Sequence, residues 1–115
     1  MVTDLAWHGF GAETDALIGV ILSEHFPDAT SYQRMLSVVM PGHHIPTHCD
    51  QQDAGWLCRV HVPLTTNPRS HFIVSGNTYE LAVGKAYLVN TKAEHSVTND
   101  GETPRVHLMF DVACR

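Results

Sequence analysis

Along the first quarter of the chain, apolar residues recur at intervals of three and four. Leu17, Ile18, Ile21, Leu22 and His25 fall on one face, with Glu13 and Asp15 in the first turn and Pro27 just beyond the end. This is a helix pattern over residues 13–26 with a helix stop after it. Gly19 weakens it slightly, and the helix is expected to cover the outside of a sheet. From Ser31 the period shortens to two. Runs at Gln33–Met40, Ile45–Cys49, Trp56–Leu64, His71–Val74, Thr78–Leu81, Ala86–Asn90, His95–Thr98 and Arg105–Val112 read as short strands. Pro41-Gly42, Asn67-Pro68, Gly76-Asn77, Gly84 and Asp100-Gly101 punctuate them. Eight short strands at close spacing predict a sandwich or barrel.

Two of the runs alternate unusually. Cys58, Val60, Val62 and Leu64 share one face of the third strand, with Arg59 and His61 on the other. Val106, Leu108, Phe110 and Val112 share one face of the last, with Arg105, His107, Met109 and Asp111 opposite. A solvated outer face explains one such strand. Two of them beside a candidate metal site predict a polar barrel interior open to a ligand.

That candidate is His48-x-Asp50 completed by His95. Residues two apart on an extended segment leave the same face. Two imidazoles and one carboxylate on one side of a metal are the facial set used by non-heme Fe(II) oxygenases. Arg105 follows His95 by ten residues, in reach of a carboxylate bound at the open positions. For both to point inward, the turn between them is expected to be a three-residue hairpin, Asn99-Asp100-Gly101, with Gly101 left-handed and 95 opposite 105.

Bulk properties narrow the partners. The 115 residues are enough for one domain, read as an N-terminal helical segment (1–30) and a β core (31–115). Net charge is −5 without a basic run, which argues against nucleic acid or an acidic membrane as an electrostatic partner. No segment approaches membrane-spanning length and Met1 to Phe10 lacks the pattern of a signal peptide, so a cytoplasmic location is expected. Cys49, Cys58 and Cys114 match no zinc or redox spacing and are read as reduced, with Cys49 pointing away from the site as a packing residue.

The text from Ser37 to Val112 resembles the aspartyl/asparaginyl β-hydroxylase family of Fe(II)- and 2-oxoglutarate-dependent oxygenases. The matching residues are Ser37, Pro41-Gly42, Pro46-Thr47-His48-Cys49-Asp50, Cys58-Arg59-Val60-His61, Glu94-His95-Ser96-Val97 and the run Pro104 to Val112. The resemblance implies a double-stranded β-helix of the jelly-roll, cupin-like kind. It implies iron on His48, Asp50 and His95, and Asp50 stands where the animal members have glycine. Arg105, helped by Ser37, would bind the distal carboxylate of 2-oxoglutarate, with Arg59 and His61 near its metal-bound end. Dioxygen would be the second cosubstrate, and succinate and carbon dioxide the by-products. The implied target is an aspartyl or asparaginyl side chain of a polypeptide. A free amino acid such as proline is the competing substrate, and a non-enzymatic metal-binding cupin-like module the competing class. Arg69, His71, His43 and His44 are the candidates for holding substrate.

Overall fold

The computed structural model describes residues 11–50 and 57–113. One helix, α1 (Gly11–His25), precedes eight strands: β1 (Ser31–Val39), β2 (His44–His48), β3 (Leu57–Thr65), β4 (Ser70–Val74), β5 (Asn77–Tyr79), β6 (Tyr87–Val89), β7 (His95–Asn99) and β8 (Arg105–Ala113). Each falls within a few residues of a run read from the alternation. Trp56, expected to open the third strand, and Cys114 lie outside the described residues.

The strands form two four-stranded antiparallel sheets, ordered β1-β8-β3-β6 and β2-β7-β4-β5. Successive strands alternate between the sheets for most of the chain, so the two wind together as a double-stranded β-helix, or jelly roll. Only β4 and β5 are joined as neighbours. Val74 pairs with Asn77 across a two-residue turn in which Ser75 (φ 50°) and Gly76 (φ 80°) are both left-handed. That is the turn whose twist suits tightly joined antiparallel strands.

Two cores result. Ile18 and Ile21 of α1 pack on Val60, Val62, Leu108, Phe110 and Val112, the outward side of the first sheet. Between the sheets lies a smaller cluster of Val39, Phe72, Val89 and Val97. The rest of that inner space is polar. Arg59, His61, His95, Arg105, His107 and Asp111 are all buried there, with Arg105 3 % and Asp111 0 % exposed. Strand β8 is central, with both edges paired to β1 and β3, and α1 and the second sheet cover its two faces.

The hairpin expected between His95 and Arg105 does not form. β7 is paired with β2 on one edge and β4 on the other, leaving it no edge for β8. The chain instead crosses to the other sheet, and Asn99 holds the crossing. Its Nδ2 donates to the carbonyls of Val39 (2.8 Å) and Thr103 (2.9 Å), while its Oδ1 accepts from the Gly101 N–H (3.1 Å). Gly101 is not left-handed. A Cβ there would collide with the side chain of Asn67, so the glycine serves close approach and not turn handedness. The cysteine reading also needs correction. Cys58 is disulfide-bonded and so not reduced. Cys49 is free, but exposed and not packed.

Candidate metal centre

Inward-facing positions of β2 and β7 would not bring His48 and His95 together by simple alternation. Ile45 pairs with Val97, and regular pairing would then set Thr47 opposite His95. The register slips by one between Ile45 and His48, so His48 is the partner of His95. Such a bulge re-aims every later side chain. It occurs on an edge strand containing Pro46, which has no N–H to lose from a ladder. Past the strand end, the Asp50 N–H donates to the Thr91 carbonyl at 2.8 Å, which anchors the backbone of residue 50 near both imidazoles.

The three groups converge. Asp50 Oδ1 lies 3.1 Å from His48 Nε2 and 3.3 Å from His95 Nε2, and the imidazole centroids are 4.3 Å apart. Among the described residues this is the one group of such side chains whose donor atoms, all within 4.8 Å of one another, can hold a metal ion. The tautomers suit that use. His48 Nδ1 is 2.7 Å from the Pro46 carbonyl and His95 Nδ1 is 2.9 Å from the Ala93 carbonyl. A carbonyl only accepts, so each Nδ1 carries the proton and each Nε2 presents a lone pair to the common point. The donor set fits a divalent cation with positions left open. His48 is at the mouth with 41 % of its side chain exposed, and His95 is buried behind it.

Arg59 stands behind Asp50. Its Nε and Nη2 donate to Asp111 Oδ1 and Oδ2 at 2.8 and 3.0 Å, and its Nη1 donates to Asp50 Oδ2 at 2.7 Å. The bond to Asp111, opposed by burial, raises the guanidinium pKa above its ordinary value. The family resemblance puts Arg59 near the metal-bound end of the cosubstrate, and here its guanidinium engages two carboxylates of the chain, one of them Asp50. Nothing in the alternation pointed to Asp111 as its partner, although the two are directly paired on β3 and β8.

Arg105 is differently placed. Its Nη2 donates to Ser37 Oγ at 3.2 Å, but its buried Nε and Nη1 find no partner among the described residues. Burial pulls its pKa down to about 10. Beside it, His61 and His107 share a hydrogen bond between their Nδ1 atoms at 3.1 Å, and His61 Nε2 is also without a partner. Burial, reinforced by Arg105, lowers His107 to about 3. Burial and the neighbouring His107 likewise push His61 well below its ordinary value. Both imidazoles are therefore neutral at pH 7. Phe72 lies between this group and the metal ligands, its ring 6.2 Å from those of both His95 and His107.

A narrow cleft of about 10 Å³, room for about one water, opens on Arg105 and His107, bounded by Ser70, His71, Phe72 and Tyr79. Of the substrate candidates, His71 borders this cleft, while Arg69, His43 and His44 are exposed and are not among the residues that line it. Asn67 and Asn99, read from the sequence only as turn residues, tie the β7–β8 crossing together through their side-chain amides. Their role depends on backbone groups from three separate segments, and only the number of turn-forming residues nearby hinted at it.

An eight-stranded jelly roll with a His/Asp/His group at its mouth is a cupin-type barrel. Solved structures agree on the fold. The chain is similar to a Thermotoga maritima protein described as a predicted oxalate decarboxylase (16 % identity, 72 % of this chain and 67 % of that one, TM-score 0.56). It is similar also to the cupin domain of an XRE-family transcriptional regulator from Enterobacter cloacae (13 %, 71 % and 81 %, 0.57). A third is a cupin 2 conserved barrel domain protein from Salinispora arenicola (15 %, 72 % and 72 %, 0.52). The family model for aspartyl/asparaginyl β-hydroxylase matches residues 14–114. The chain belongs to that family. Family and fold together support a cupin-type hydroxylase or metal-binding module. Among the described residues no helix is long and apolar enough to cross a membrane.

Proposed function

We propose that this chain is an Fe(II)- and 2-oxoglutarate-dependent dioxygenase that hydroxylates an aspartyl or asparaginyl side chain. The observation that carries the reading is the buried Arg105 guanidinium, which has no counter-ion among the described residues. A buried cation without a counter-ion is costly, and a pKa depressed to about 10 corresponds to about 3 kcal/mol against folding. A module that only bound metal would have no use for it. A carboxylate arriving at the guanidinium would take two parallel bonds along one of its planar edges, Nη1 with Nη2 or Nε with Nη2, and so satisfy a free donor. Ser37 already orients Nη2.

Charge agrees with this reading. Arg59 and Arg105 are balanced by Asp50 and Asp111 in the interior, with His61 and His107 neutral. A divalent metal adds two positive charges to that set. A dicarboxylate dianion removes them, so the site is neutral with both bound, as it is with neither, and charged with either alone.

The division of labour follows. His48, Asp50 and His95 would hold the iron. Arg105 and Ser37 hold the distal carboxylate, and Phe72 covers the space between with an apolar wall. When bound, iron supplies the redox chemistry, coupling oxidative decarboxylation of 2-oxoglutarate by dioxygen to insertion of one oxygen atom into a C–H bond. The chain's own part is to orient the reactants and keep water from the buried groups. His71 at the cleft rim is the described side chain best placed to meet a polar target.

The test is anaerobic addition of Fe(II) and then 2-oxoglutarate, watching for the visible charge-transfer band of a chelated keto acid. No band, with iron bound, would overturn the 2-oxoglutarate assignment. Incubation in air with Asp- and Asn-containing peptides should add one oxygen atom to the peptide, seen by mass spectrometry. Hydroxylation of free amino acids with none on peptides would overturn the substrate.

A further inference from the structure

We infer that Arg59, pinned by Asp111, is a positioning residue that makes Asp50 a one-oxygen metal ligand. The inference rests on the metal-site reading and extends it to two side chains that do not touch the metal point.

Asp50 lies beyond the end of β2, where no ladder restrains it. Its backbone N–H is held by Thr91, but a carboxylate on a free χ angle can rotate, chelate through both oxygens or swing into solvent. The structure removes that choice. Oδ1 faces both Nε2 atoms, while Oδ2 is taken by Arg59 Nη1 at 2.7 Å. Arg59 in turn cannot follow a moving carboxylate. It is paired directly with Asp111 across β3 and β8, and its Nε and Nη2 form a two-bond fork with a carboxylate that is fully buried. With two of its three nitrogens committed to Asp111, the third nitrogen has one direction, towards Asp50.

Asp111 has a second effect. An uncompensated guanidinium bonded to Asp50 would weaken the pull of that carboxylate on a cation. Asp111 cancels the Arg59 charge, so Asp50 retains its negative charge for the metal while keeping the orienting bond. A lysine at 59 would bring the charge without the fork.

Cobalt(II) serves as the probe, because its visible absorption reports coordination number and affinity in one titration. The unmodified chain is compared with Arg59→Lys and with the double variant Arg59→Met/Asp111→Leu. The double variant removes both charges together and so avoids stranding one in the core. The expected result is a 10- to 100-fold loss of cobalt affinity in the double variant, the usual scale for removing a partner of a metal ligand. An altered visible spectrum should accompany it. Arg59→Lys should recover part of the affinity. A purely structural role would lower the urea midpoint and leave the spectrum of the bound cobalt as it was. Wild-type affinity and spectrum in either variant would overturn the inference while the metal site stands. Failure of the unmodified chain to bind cobalt would overturn the metal site and this inference with it.

Discussion

The two faces of β8 are built from alternate residues of one nine-residue strand, yet they do opposite work. On the outer face, Leu108, Phe110 and Val112 are fully buried beneath Ile18 and Ile21 of α1. Every group there is apolar, so burial stabilises without any need for a partner. On the inner face, Arg105, His107 and Asp111 are as deeply buried and carry charge or hydrogen-bonding demand. Asp111 is satisfied by the Arg59 fork, His107 by remaining neutral, and Arg105 only in part. The outer face holds the fold and the inner face waits for ligands. One strand can serve both because its side chains alternate, and because the helix and the second sheet cover its two sides.

The sharpest way to break this comparison is Phe110→Ala. Removing a fully buried ring should cost about 3–5 kcal/mol of stability by urea denaturation. Cobalt affinity in the fraction that stays folded should be unchanged. A parallel loss of metal affinity would show that the faces are not separable.

Arg105→Met tests the inner face, with effects of opposite sign. Affinity for 2-oxoglutarate should fall by about 2–3 kcal/mol, the scale of losing hydrogen bonds to a charged group. The ligand-free protein should become more stable by about 1–3 kcal/mol, because a desolvated cation is gone. Calorimetric binding and urea midpoints without ligand measure the two effects. Lower stability together with unchanged 2-oxoglutarate binding would reverse the assignment of Arg105.

The third test is the acid dependence of stability, read as a slope per pH unit. His61 and His107 are buried as neutral imidazoles, with folded pKa values below the unfolded value near 6.5. As pH falls through 6.5 the unfolded chain takes up protons that the folded chain refuses. Stability therefore drops, for His107 until about pH 3. Each histidine contributes about 1.4 kcal/mol per pH unit in that window and nothing well above it. Urea midpoints between pH 7 and 5 should show this slope, and His107→Gln should remove about half of it. An unchanged slope in that variant would mean that His107 is not held neutral.

Much of the fold was legible in the chain because alternation is local. Each strand's inward and outward sets, the covering helix and the polar interior follow from residues next to one another in sequence. Spacing singled out His48, Asp50, His95 and Arg105 for the same reason, and the resemblance added Ser37 and its partnership with Arg105. Pairing is different, since hydrogen-bond ladders are chosen among all strands at once. The 95–105 hairpin obeyed every local rule and failed because β2 and β4 already occupy both edges of β7. The bulge that turns His48 inward was equally invisible, since a slip of register exists only relative to a partner. Arg59 marks the boundary most clearly. The sequence by itself determined that a cation faces the interior from β3. Only the tertiary structure decided that it answers to Asp111 and Asp50, 52 and 9 residues away, because a guanidinium meets whichever carboxylates the closed barrel brings within reach.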